Sequence, residues 1–117
     1  MITVVGYDGG PLPARAADRV AAAALVVGGR WHLERLALPD EVRTVVLRDD
    51  VPGALQQVAD EPGPVVVLAS GDPGFFGVLR LVRLLVPGRE VEVLPAVSSV
   101  ARAFAAAGVR WDDAEVV

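Results

Sequence analysis

Neither cysteine nor lysine occurs in the 117 residues. The first absence excludes disulfides, thiolate zinc sites and a thiol nucleophile, and fits a cytoplasmic protein. The second makes all eleven basic side chains arginine, so neither a Walker-type phosphate lysine nor a Schiff-base lysine is available. Histidine occurs once, as His32, and any Ser-His-Asp triad would have to use it. Long apolar runs are missing as well: Val20–Gly29 is about half of the ~20 residues that a membrane-spanning helix needs, so no membrane partner is expected. Met1 leads directly into ITVV, with no basic region and no small-residue cleavage site, so no secretory leader is expected. A formal net charge of −4 supplies no general attraction for nucleic acid, and none is expected as a partner. There is no internal repeat or low-complexity tract.

What is present is a chain with 53% hydrophobic residues, long enough for one domain that buries roughly 60–70% of its unfolded surface. Five short apolar runs are strand candidates: Ile2–Val5, Leu25–Val27, Thr44–Leu47, Val65–Leu68 and Val91–Leu94. Each is continuous rather than alternating, the pattern of strands covered on both faces, and the intervening lengths suit helical crossovers. The expected architecture is three-layer α/β, a mostly parallel five-stranded sheet with helices on both faces and right-handed crossovers. Pro13 opens a helix whose Ala17, Val20, Ala21 and Ala24 share one face. Asp50 caps a second, with Pro52 in its first turn, Leu55, Val58 and Ala59 inward, and an end near Asp60 before EPGP. Phe75, Leu79, Val82 and Val86 form the stripe of a third, stopped by Pro87–Gly88, with Arg80 and Arg83 on its solvated side. A last helix runs from Ser98 or Ser99 through Val100, Phe104 and Ala107 to Gly108.

Open parallel sheets bind ligands beyond the carboxyl ends of their strands. Three loops belong to that edge here: Gly6–Leu12, Ala69–Gly74 and Pro95–Ser98, all rich in Gly, Pro, Asp or Ser. In the second, Gly71 and Gly74 let backbone approach a ligand, and Asp72 is the only charge. The first, GYDGGPLP, is not G-x-G-x-x-G and no acidic ribose reader follows, which disfavours a dinucleotide fold.

The string LASGDPGFFG, followed by LPAVSSVARAFAAAG and VRWDDAEVV, resembles the tetrapyrrole methylase family, whose members carry GDP-x-x-x-G and then P-G-V-S-S. VVGGRWHL at Val26–Leu33 is similar to the GG-x-x-HL segment of the branch that methylates carbon 5 of precorrin-6Y or its cobalt counterpart in corrin-ring synthesis. The resemblance covers nearly the whole chain. It implies two α/β domains with S-adenosylmethionine in the cleft between them, residues 1–111 being the N-terminal domain and 112–117 the start of a linker to a second domain, so that this half alone is not competent. It places Gly9, Gly71, Asp72, Phe75, Ser98 and Ser99 beside the cofactor. It further implies a precorrin substrate, a homodimer, and a fused or separate partner for carbon 15 methylation and decarboxylation. The substrate's many carboxylates make Arg30 and Arg35 candidate contacts. This sequence departs from the pattern at the first loop, Gly9-Gly10-Pro11-Leu12-Pro13, where relatives have a longer loop followed by serine or threonine, and at Ala96, where they have glycine.

Each motif also has a plain structural reading. A GDP turn between strand and helix is commonly a turn plus N-cap, Ser98 and Ser99 are helix caps first, and His32 with Trp31 and Leu33 just past a strand reads as packing. Trp31 and Trp111 read as core or interface residues, and Asp112–Asp113 as a solvated linker rather than a cation site. Two further functional readings stay open: another precorrin methylase branch, and a stand-alone α/β module that binds a small ligand or a protein through the same loops.

Overall fold

The computed structural model describes residues 1–47, 50–70 and 72–95, with residues 72–76 described as helical backbone alone. Strands and helices alternate in the order β1 (Ile2–Gly6), α1 (Ala14–Ala22), β2 (Leu25–Gly28), α2 (Arg30–Leu36), β3 (Arg43–Val46), α3 (Val51–Asp60), β4 (Val65–Ala69), α4 (Asp72–Leu85) and β5 (Val91–Leu94). The sheet order is β3-β2-β4-β1-β5, and every pairing is parallel, with Ile2 opposite both Val65 and Val91 and Leu25 opposite Val65 and Arg43.

This order explains the layers. The chain steps from β1 to β2 to β3 toward one edge, then returns through β4 to β5 at the other. Crossovers of a single handedness must change face when that direction reverses. They do: the residues of α3 and α4 (Leu55, Val58, Leu79, Val82) pack with Ile2, Val4, Leu25, Val27, Val65 and Val67. Those of α1 and α2 (Ala16, Val20, Leu33, Leu36) pack with Val5, Val26, Val66 and Leu68 on the opposite face.

The inner strands β1, β2 and β4 are buried at every residue, the environment in which an uninterrupted apolar run is stable as a strand. The expectation that all five strands are so covered fails at the edges, where β3 is largely exposed and β5 half-buried. An edge strand has a neighbour on one side only, and β3 accordingly carries Arg43 and Thr44.

The helices follow their caps and periodicity. Asp50 accepts a hydrogen bond from the Gly53 N–H at 3.0 Å, α3 begins with Pro52 in its first turn, and Ala54, Leu55 and Val58 are buried. In α4, Leu79 and Val82 are buried, as is Val86 just past its end, and Arg80 and Arg83 are exposed; Gly88 at φ 83 allows the turn into β5. In α1 the inward residues are Ala16 and Val20, with Ala23 just beyond, whereas Ala17 and Ala21 are exposed and Ala24 is half-buried. The face lies one residue from the expected one, an orientation in which Arg15 and Arg19, one turn apart, reach to Glu92 on β5. Helix α2 is not anticipated by the periodicity at all; it ends at Ala37 in the left-handed region (φ 49, ψ 56). The helix expected from Ser98 or Ser99 lies outside the described residues.

Candidate functional site

Because all strands are parallel, every strand exit lies on one rim of the sheet. The exits of β4, β1 and β5 are immediate neighbours there, and the Tyr7 N–H donates to the Ala69 carbonyl at 2.8 Å, joining the first loop to the end of β4. From β1 the chain departs toward β2 on one face, and from β4 toward β5 on the other. Two adjacent strands whose connections diverge in this way leave a crevice between them, the switch point at which open α/β sheets take ligands.

Of the residues singled out in the sequence, Gly9 lies in the first loop at φ 95. Asp72 is the first residue of α4 and Phe75 lies in its first turn; their side chains, together with Gly71, Ser98 and Ser99, lie outside the described residues. Arg30 and Arg35 both belong to α2. Five positions apart on a helix, they point about 140° away from each other: Arg30 lines a groove along β3, and the Arg35 guanidinium lies 5.2 Å from the centroid of the Trp31 ring.

An aromatic cluster at the rim went unread in the sequence. Tyr7 follows β1 and His32 stands in the first turn after β2; β4 lies between those two strands, so the side chains meet across its end. The Tyr7 and His32 ring centroids are 5.8 Å apart, Trp31 and His32 5.3 Å in an edge arrangement, and Tyr7 and Trp31 6.2 Å. Two glycines set this geometry. A Cβ at Gly9 would stand 2.6 Å from Trp31 Cη2, so the loop closes on the indole only because there is none, and its φ favours glycine independently. A Cβ at Gly28 would meet Leu68 Cβ at 3.1 Å and His32 Cβ at 3.4 Å, so its absence lets α2 settle close to β4. The signal available in the sequence was the Gly28-Gly29 pair followed by His32, a tight strand-to-helix step.

His32 is only 8% exposed. Its Nδ1 accepts a hydrogen bond from the Gly29 N–H at 3.3 Å, so the proton of the neutral ring resides on Nε2. Nε2 is buried and has no partner among the described residues. Burial pushes the imidazole pKa below its ordinary 6.5, favouring the neutral ring.

Away from the rim, toward the entries of β1 and β5, Glu92 accepts from Arg19 Nε at 2.6 Å and from Arg15 Nη2 at 2.7 Å, with Thr3 Oγ1 at 3.4 Å. The Arg19 hydrogen bond, followed by that from Arg15, holds the carboxyl at a pKa of about 2 against the cost of its partial desolvation. The cluster fastens α1 to edge strand β5. Beside it a cavity of about 130 Å³ opens among Val5, Gly6, Pro13, Arg15, Ala16, Leu94 and Pro95, small beside the ~300–1,000 Å³ of complete small-molecule sites. The larger groove, about 440 Å³, runs between α2 and β3 past Leu33, Leu38 and Val46 and shares no residue with the three loops. Among the described residues no helix is long and apolar enough to cross a membrane.

Comparison with known proteins fits this architecture. The family model described as Tetrapyrrole (Corrin/Porphyrin) Methylases matches residues 3–117. A precorrin-6Y C(5,15)-methyltransferase [decarboxylating] from Sinorhizobium sp is 37% identical over 116 residues, which is 97% of this chain and 28% of that protein. Among solved structures, the methyltransferase CobJ superposes with a TM-score of 0.68 at 26% identity over 92% of this chain and 51% of its own. The cobalamin-biosynthesis precorrin-6Y methylase (cbiE) from Archaeoglobus fulgidus does so with a TM-score of 0.60 at 28% identity, over 96% and 60%. The chain thus spans a little over a quarter of its curated relative and roughly half of the two structures. With a parallel five-stranded sheet of matching topology and a family match from Thr3 onward, this chain belongs to the tetrapyrrole methylase family.

Proposed function

We propose that this chain is the N-terminal half of an S-adenosylmethionine-dependent methyltransferase that acts on carbon 5 of precorrin-6Y or its cobalt counterpart in corrin-ring synthesis. The observation that carries the reading is the placement of the GDP-bearing exit of β4 beside the exits of β1 and β5 on one rim, in a chain 37% identical to a precorrin-6Y methyltransferase. In this reading residues 1–111 form one wall of a cleft, 112–117 begin the link to a second domain, and carbon 15 methylation with decarboxylation is the work of a fused or separate partner. A homodimer belongs to the same proposal.

The rim suits such a donor: the exits of β1 and β4 are neighbours there, their connections leave on opposite faces, and α4 begins beside them. S-adenosylmethionine supplies an electrophilic methyl group on a sulfonium and carries an ammonium and two ribose hydroxyls. Asp72 would accept hydrogen bonds from such donors and favour the positive charge, Gly9 and Gly71 would let backbone groups approach, Phe75 would offer an apolar wall, and Ser98 and Ser99 would hydrogen-bond polar edges. Methyl transfer is an in-line displacement that depends on alignment more than on a strong acid or base. A wall built from loops and backbone is chemically adequate for it. Arg30 and Arg35, which diverge on α2, would meet different carboxylates of the substrate if both take part.

The test uses methyl-labelled S-adenosylmethionine and a panel of precorrin intermediates with the full-length protein. Label at carbon 5 of precorrin-6Y is the expected product; label at another ring position moves the protein to another branch. Calorimetry on the 117-residue chain alone is expected to show weak or no binding of S-adenosylmethionine. Tight binding there would overturn a site divided between two domains.

A further inference from the structure

We infer that His32 is a ligand-binding residue: its Nε2–H donates to a carboxylate of a bound ligand in the crevice between β1 and β4. The inference rests on the methyltransferase reading for the identity of the ligands, and on the geometry of this chain for the rest.

Three observations converge. The tautomer is set by the main chain, because the Gly29 N–H occupies Nδ1 at 3.3 Å and leaves the proton on Nε2. That Nε2–H is buried without a partner among the described residues, whereas the great majority of buried polar groups in folded proteins are satisfied. And the ring stands at the switch point, spanning the end of β4 to reach Tyr7. The Nδ1 bond to Gly29 accounts for one ring nitrogen as a helix cap, but it leaves the Nε2–H a standing penalty that capping alone does not explain. An orphaned donor at a sheet's ligand-binding rim becomes favourable when an acceptor arrives.

The acceptor is an oxygen, and a carboxylate answers best, since a hydrogen bond to a charged group is stronger than one between neutral groups. Arg35 adds positive charge nearby, held over Trp31. Of the rings around His32, Tyr7 is 4% exposed and Trp31 45% exposed, so Trp31 is the one free to yield as the oxygen approaches. Both the methyl donor and the tetrapyrrole carry carboxylates, and the experiment separates them.

Histidine-selective ¹⁵N labelling of the full-length protein, with the His32 signal identified by its loss in His32→Gln, is expected to show the neutral Nε2–H form at pH 7.5. Addition of S-adenosylhomocysteine in one arm, and of the tetrapyrrole substrate in the other, should shift that N–H in the arm whose carboxylate it meets. Calorimetry on His32→Phe should show affinity for the same ligand reduced roughly tenfold or more, beyond the modest drop in melting temperature that loss of the Gly29 bond brings, with His32→Gln, which retains a donor, recovering much of the affinity. A purely structural role predicts the reverse, a lowered melting temperature with both affinities intact, and that result overturns the inference while leaving the methyltransferase reading in place. So does a His32 N–H that stays unmoved in the wild-type protein when both ligands bind. If the wild-type protein binds neither ligand, the methyltransferase reading falls and this inference with it.

Discussion

The two faces of the sheet are built from different chemistry. Against α3 and α4 the buried residues, among those described, are aliphatic: Ile2, Val4, Leu25, Val27, Leu55, Val58, Val65, Val67, Leu79, Val82 and Val86. Against α1 and α2 lie, among the described residues, both buried polar side chains, Thr3 and His32, together with Tyr7 and the Glu92 cluster. Strand alternation makes the division possible, because Thr3, Val5 and Glu92 share one face while Ile2, Val4, Val91 and Val93 share the other. One face is a packing surface whose free energy comes from apolar area removed from water. The other spends part of its area on groups whose value lies in charge, hydrogen bonding and the shaping of the rim.

Changes on the two faces should therefore separate stability from ligand recognition. The largest stability effect belongs to the aliphatic face: Leu55→Ala, at a residue 1% exposed, is expected to cost about 2–5 kcal/mol in urea unfolding, with ligand affinity of the folded fraction unchanged. A loss of affinity in proportion would erase the contrast between the faces. Next comes Gly9→Ala, where left-handed backbone adds about 1–2 kcal/mol of strain and the new Cβ pushes on Trp31. Its mark is a shift in Trp31 emission and weaker ligand binding with only moderate loss of stability; an unmoved indole would show that the loop does not shape the rim. The smallest effect is electrostatic. Because Glu92 has its pKa lowered from 4.5 to about 2, first by the Arg19 hydrogen bond, the folded state binds that proton less readily than the unfolded chain. The resulting stability is complete above about pH 4.5 and is lost as pH falls toward 2. Glu92→Gln should flatten this acid limb in melting-temperature measurements at pH 7, 4 and 3, and an unchanged limb would mean the arginines do not hold the carboxylate in solution.

How far the fold could be read in advance followed the strength of each local signal. All five strands stood out because continuous valine-rich runs have few alternatives, and α3 because Asp50, Pro52 and the Leu55–Val58 spacing agree. The face of α1 was ambiguous for a physical reason: in an alanine-rich helix, rotation by one residue changes the apolar content little, and the observed face is the one from which Arg15 and Arg19 meet a carboxylate more than seventy residues away, a contact no local pattern shows. Helix α2 escaped because seven residues give barely two turns, too few to establish a period. The candidate site divided in the same way. Glycine-bearing loops were legible as ligand-facing rims, but the meeting of Tyr7 with His32 depends on β4 lying between β1 and β2, a strand order that no local pattern encodes. Arg30 and Arg35 were likewise paired by composition; that they point to different sides follows from α2, a helix no periodicity marked.

The strand order also bears on how the protein is made. β1 is hydrogen-bonded only to β4 and β5, so as the chain is made it has no partner until β2, β3 and the helices that follow them have emerged. β2 and β3, close in sequence, can pair early, whereas Ile2–Gly6 must remain an unpaired apolar segment until β4 arrives. Such non-local closure slows folding and exposes a sticky segment to neighbouring chains. The nascent β1, rather than any part of the finished surface, is where a folding helper in the cell would have most to do.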